Sequence, residues 1–214
     1  MLSLVITSCE ESITVNDNPS SYCQSMIMKA ELTPKEYVQS WSTLPTESEF
    51  VKQKKIKEFN YKLKYLPIEF LISNELRDSS PSEEMVDSLK KNYEGMEYYE
   101  LTLSIDDFKD ETIKYNVADM QEYQNRLSYL SFSMQKDINI IQKNAQTAPC
   151  KLYHYERTFG IAPHAKVLIG FSKEDLNPQT TERTVVLNDN LFNKGLIKFN
   201  WSGSTLLETP KLLL

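Results

Sequence analysis

The sequence predicts an α+β domain, a mainly antiparallel sheet of about five or six strands with helices packed on one face. Three observations point there. Segments of strict two-residue alternation recur along the chain. Capping boxes led by serine or threonine open several of the segments between them. No period of about 20–50 residues repeats, which sets solenoids and propellers aside.

In chain order, Thr33-Pro34-Lys35-Glu36 is a capping box with proline at the first helical position, and it opens a helix to about Leu44. Thr46-Glu47-Ser48-Glu49 repeats the signal and predicts a second helix through about Lys57. Glu58–Tyr65 then alternates: Phe59, Tyr61, Leu63 and Tyr65 point one way, while Asn60, Lys62 and Lys64 form a solvent face. Pro67 ends that strand. Ile68–Leu76 is apolar enough for a short buried helix or another strand, with the helix preferred. Ser80-Pro81-Ser82-Glu83 is a third capping box, and Gly95 stands where the helix end favours a left-handed residue. Glu97–Ile105 alternates again, with Tyr99, Leu101, Leu103 and Ile105 as its core face. The acidic run Asp106–Glu111 lacks the central glycine of a calcium loop and reads as a solvated turn.

Met120, Tyr123, Leu127, Leu130, Met134, Ile138 and Ile141 recur at spacings of three and four, predicting one long helix over Asp119–Lys143 that covers the sheet. The last third is strand-rich. Cys150–Thr158 and Lys166–Phe171 flank a loop, Phe159-Gly160-Ile161-Ala162-Pro163-His164, suited to joining antiparallel strands. Thr184–Leu187 and Leu196–Trp201 bracket the turn residues Asn188-Asp189-Asn190 and Gly195. In the last strand Ile197, Phe199 and Trp201 share a face, and the tail Lys211–Leu214 either packs back or frays.

The chain has 214 residues, 40% apolar and 25% charged, the balance of an ordinary globular domain. Its 24 basic and 30 acidic residues give a net charge of −6, the wrong sign for binding nucleic acid by counterion release. No apolar run reaches the roughly 18–20 residues of a membrane span.

The N-terminus carries a different signal. Ile6-Thr7-Ser8-Cys9 resembles a bacterial lipobox, with small side chains beside the cleavage point and a thiol to take the diacylglycerol. Glu10 and Glu11 resemble the surface-export signal of Bacteroidota-type lipoproteins. The resemblance covers Met1 to Glu11 and implies acylation at Cys9. It also implies an extracytoplasmic location, anchored to the outer membrane and facing the periplasm or the surface. Leu2–Ser8 is at the short limit of a signal h-region and no basic residue precedes Lys29, so a true N-terminus upstream of Met1 is expected. The alternative for Leu2–Ile6 is a short buried strand. Residues 10–21 are too polar to offset their ordering entropy and read as a tether. The expected organisation is a truncated signal segment at 1–8, an acidic tether at 9–25 and one α+β domain at 26–214.

With Cys9 assigned to lipid, Cys23 and Cys150 remain as a candidate disulfide. The alternative is a free thiol at Cys23 and a small buried hydrophobe at Cys150. Five glycines form neither GxGxxG nor a P-loop, and neither HExxH nor GxSxG occurs. No cofactor is expected. His154 and Glu156 share a strand face, with His164 across the predicted loop; two imidazoles and a carboxylate suit zinc or iron. Cys150 is the nucleophile nearest this group. Tyr93, Tyr98, Tyr99, Tyr153 and Tyr155 suit either a glycan or protein surface, or ordinary strand packing. The expectation is an envelope lipoprotein that binds a protein or glycan partner without catalysis. The alternative is an extracytoplasmic hydrolase or metal-dependent enzyme centred on His154, Glu156 and His164.

Overall fold

Alternating side chains build two facing sheets. The computed structural model describes residues 31–76, 82–143, 145–178, 182–201 and 209–213. Strands β2 (Val51–Ile56), β3 (Phe59–Leu66), β4 (Met96–Ile105), β7 (Leu152–Glu156) and β8 (His164–Ser172) form a five-stranded antiparallel sheet in the order β2-β3-β4-β8-β7. A second antiparallel sheet holds β5 (Ile138–Ile141), β6 (Thr147–Pro149), β9 (Arg183–Asp189) and β10 (Gly195–Trp201), in the order β10-β9-β5-β6. The domain is α+β and mainly antiparallel, with its strands divided between these two sheets.

The inner faces make the main core. Tyr61, Leu63, Tyr99, Leu101, Val167 and Ile169 of the larger sheet join Ile138, Ile140, Val185, Ile197, Phe199 and Trp201 of the smaller one in a single buried cluster. Tyr99 is fully buried, its ring within 5.3–5.9 Å of Tyr65, Phe171 and Trp201. Each large side chain buried there contributes roughly 1.5–3 kcal/mol of transfer free energy. At the margin of this core Glu97 on β4 meets Arg183 on β9: Nη2 donates to Oε1 at 2.9 Å and Nε at 3.2 Å. This pair ties the two sheets together and is almost wholly screened from solvent.

Helices cover part of the larger sheet's outer face. In α1 (Pro34–Ser42) the Thr33 capping box forms as expected: the Thr33 side chain accepts from Glu36 N, and the Glu36 carboxylate accepts from Thr33 N at 2.9 Å. Together α1, α2 (Ile68–Leu76) and α3 (Glu83–Tyr93) bury Leu66 and Tyr98, the outward residues at one end of the sheet. Trp41 is anchored there by its indole N–H, which donates to Tyr65 O at 2.9 Å. The tail packs back, since β1 (Glu31–Leu32) pairs in parallel with β11 (Lys211–Leu212) and the Tyr37 hydroxyl donates to Pro210 O.

Several local expectations are corrected. Residues 46–57 do not form a helix: 51–56 are β2, joined to β3 by the two-residue link Lys57-Glu58 with Lys57 at φ 54°. Pairing with β3 outweighs the capping signal, and the lysines of β2 blunt a sheet edge. The long helix over 119–143 is replaced by α4 (Met120–Ser128), a π turn (Tyr129–Ser133), a 3-10 turn (Met134–Asp137) and β5. Ile138 and Ile140 are both buried, which is strand periodicity in a β-branched run. Ser80 lies outside the described residues; the N-cap of α3 is Ser82, whose side chain accepts from Met85 N. Gly95 is not left-handed, because Glu94 caps α3 in helical conformation. Nor is Lys64 part of a solvent face; it is buried beneath α1 and α2.

Replacing Arg183 by Met should strand the Glu97 carboxylate and cost about 3 kcal/mol in urea unfolding. The double replacement with Glu97→Met should recover most of that loss, and an uncorrected double variant would mean the pair contributes more than charge neutralisation.

Candidate functional site

The helices leave most of the outer face open, and the sheet register arranges what it displays. Beside the covered end, Val51, Lys64, Glu100, Leu168 and His154 stand side by side across β2, β3, β4, β8 and β7. The next row is Gln53, Lys62, Thr102, Lys166 and Glu156. Beyond it come Lys55, Asn60, Ser104 and His164. With Phe70, Leu71 and Asn74 of α2 as one wall, Lys62, Lys64, Glu100, Thr102, His154, Glu156, His164, Lys166 and Leu168 from these rows line a groove of about 790 Å³.

Its electrostatics are set by partial burial. Lys64 donates to Glu100 at 3.1 Å and to Trp41 O at 3.4 Å. Burial depresses its ammonium below the usual lysine value, opposed by Glu100 and reinforced by the charges of Lys62 and Lys166. His164 is likewise held below the ordinary imidazole value, by burial first and by the Lys166 charge second. Lys62 and Lys166 make no ion pair among the described residues. The Thr102 hydroxyl between them is buried without a hydrogen-bond partner.

His154, Glu156 and His164 all line this groove, as their face assignment implied. The register keeps them apart: His154 is opposite Leu168, Glu156 opposite Lys166 and His164 opposite Ser104. Among the described residues no three His, Cys, Asp or Glu side chains cluster closely enough to hold a metal ion. Cys150 is not on the groove face. It sits in the inner core, its thiol donating to Leu152 O and pushed up to about 11 by burial. Cys9 and Cys23 lie outside the described residues. Of the tyrosines, Tyr98 and Tyr99 are buried, and Tyr153 and Tyr155 pack against the inner core, Tyr153 donating to Leu130 O. Tyr93 donates to Glu75 at the α2–α3 contact.

The lysines, Thr102 and Glu100 were missed as site residues. Their alternation was visible at 62 and 64 and at 100 and 102, yet nothing in one strand says which residues of its neighbours lie alongside.

No protein-family model matches this chain, and no curated protein matches it. A solved structure, of a novel protein of unknown function from Burkholderia pseudomallei K96243, is similar over 73% of this chain and 80% of its own. The identity is 10% and the TM-score 0.34, too slight a likeness to carry any role across.

His164 predicts a pH signature. Its folded-state value lies below that of the unfolded chain, so the unfolded state binds more protons just below about pH 6.5. The contribution to stability is complete above that pH and is lost as pH falls through the folded value. Acidification should therefore destabilise the parent more than His164→Gln, and the His164 ring protons should titrate with a midpoint below about 6.5 in NMR.

Proposed function

We propose that this protein is an envelope lipoprotein, anchored to the outer membrane through Cys9, whose domain binds a protein or polymer partner without catalysis. The open groove on the larger sheet carries the binding reading. Its volume of about 790 Å³ lies within the roughly 300–1,000 Å³ of ligand sites. It mixes an apolar wall with rows of charged and hydroxyl groups, which suits recognition of an extended ligand. Cys150, the thiol nearest His154 in the sequence, faces the inner core and not the groove. The lipobox-like Ile6-Thr7-Ser8-Cys9 and the acidic tether support the anchor.

One second reading is an extracytoplasmic metal-dependent hydrolase, which needs His154, Glu156 and His164, set apart by the register but lining one groove, to draw together around an ion. Purified protein loaded with zinc and dialysed should retain less than stoichiometric metal if the binding reading holds; one zinc per chain, lost in His154→Ala, would install the hydrolase.

The anchor is tested by expressing the chain behind a basic n-region and following labelled fatty acid. Label on the parent and none on Cys9→Ala is expected. Absence of label from both would remove the envelope role.

A further inference from the structure

The groove holds an electrostatic arrangement that the binding reading alone does not explain. The chain as a whole is acidic, at −6, yet three lysines meet in the groove against two glutamates. Lys64 spends its charge on Glu100 at 3.1 Å. Lys62 and Lys166 have no such partner among the described residues, and Glu156, though in register with Lys166, forms no ion pair with it. The two lysines flank Thr102 in one row of the sheet, on the strands either side of β4. Two strand spacings put their Cα atoms roughly 10 Å apart, within reach of a common point above Thr102 for two flexible lysine stems. Both lysine charges act on Lys64 and His164, opposed by Glu100 at each and by Glu156 at His164. Two lysines that flank an unpartnered hydroxyl repel one another, and an anion between them relieves that repulsion.

We infer that Lys62, Thr102 and Lys166, with His164 beside them, form an oxyanion site that takes a phosphate or carboxylate group of the groove's ligand. The two ammonium groups neutralise the anion, and the Thr102 hydroxyl, screened from solvent in the free chain, donates to one of its oxygens once the anion displaces what covers it. His164 borders the site from the next row and donates a ring N–H without needing to be protonated. Phe70, Leu71 and Leu168 at the covered end then take a less polar part of the same molecule. The ligand is thus an anionic polymer or a molecule with one charged head. This inference rests on the groove being the binding surface proposed above.

The test is a backbone-amide NMR titration of the whole chain with inorganic phosphate, malonate and the neutral oligosaccharide cellohexaose, against sodium chloride at matched ionic strength. Saturable shifts at Lys62, Thr102, His164 and Lys166 with phosphate or malonate are expected, and the tighter anion identifies the headgroup as phosphoryl or carboxylate. Lys62→Gln/Lys166→Gln should weaken that binding by at least about tenfold, and Thr102→Val by about tenfold, neither lowering the melting temperature. Anion shifts that match chloride, or that persist in the double variant, would overturn the site. Cellohexaose shifts at His154 and Leu168 with the anions silent would overturn it while leaving the groove as a binding surface. Silence from all three probes would count against both readings.

Discussion

The register of β3, β4 and β8 is the constraint on which the rest of the molecule depends. In a strand the side chains alternate, so a slip of one residue exchanges the two faces entirely. Tyr61, Leu63, Tyr99, Leu101, Val167 and Ile169 reach the core between the sheets only in the observed pairing. A slipped β3 would drive Lys62 and Lys64 into that core, where an unpaired charge costs several kcal/mol. The same pairing that satisfies the core therefore decides that Lys62, Thr102 and Lys166 stand in one row outside.

The outer face is finished unequally, and the groove follows from that. Helices α1, α2 and α3 cover the apolar outward residues Leu66 and Tyr98 and stop at the row containing Lys64. Lys64 keeps its charge under this cover because Glu100 and the Trp41 carbonyl are both within reach. Beyond that row the described outward residues, Gln53, Lys62, Thr102, Lys166 and Glu156, are polar, which gives a polar shelf with one apolar wall. The core sets the register, the helices set the boundary, and the exposed rows between them supply the chemistry.

Much of the fold was legible wherever local periodicity and tertiary demand agree. β3, β4, β8 and β10 alternate cleanly, and Thr33-Pro34-Lys35-Glu36 caps α1 just as its side chains suggest. Legibility failed where two periods fit one segment. Leu130, Met134, Ile138 and Ile141 satisfy a helical spacing, but the edge of β9 was waiting for a partner, and Ile138–Ile141 pairs with it after a π turn and a 3-10 turn end the helix. Thr46 to Glu49 has the letters of a capping box, yet the following lysine-rich segment gains more as an edge strand on β3 than as an isolated helix.

For the candidate site, the sequence by itself determined which side chains share a strand face: His154 with Glu156, Lys62 with Lys64, Glu100 with Thr102. It also determined the lipobox-like N-terminus and the acidic net charge, both of which are properties of the letters alone. Tertiary structure decided the neighbours. His154 came to lie beside Leu168 and Glu156 beside Lys166, and Cys150 turned to the inner core, because strand order and register are set by the summed burial of two sheets. Alternation is written within a strand and is readable there; adjacency between strands is a cooperative outcome of packing the whole core, and no single segment carries it.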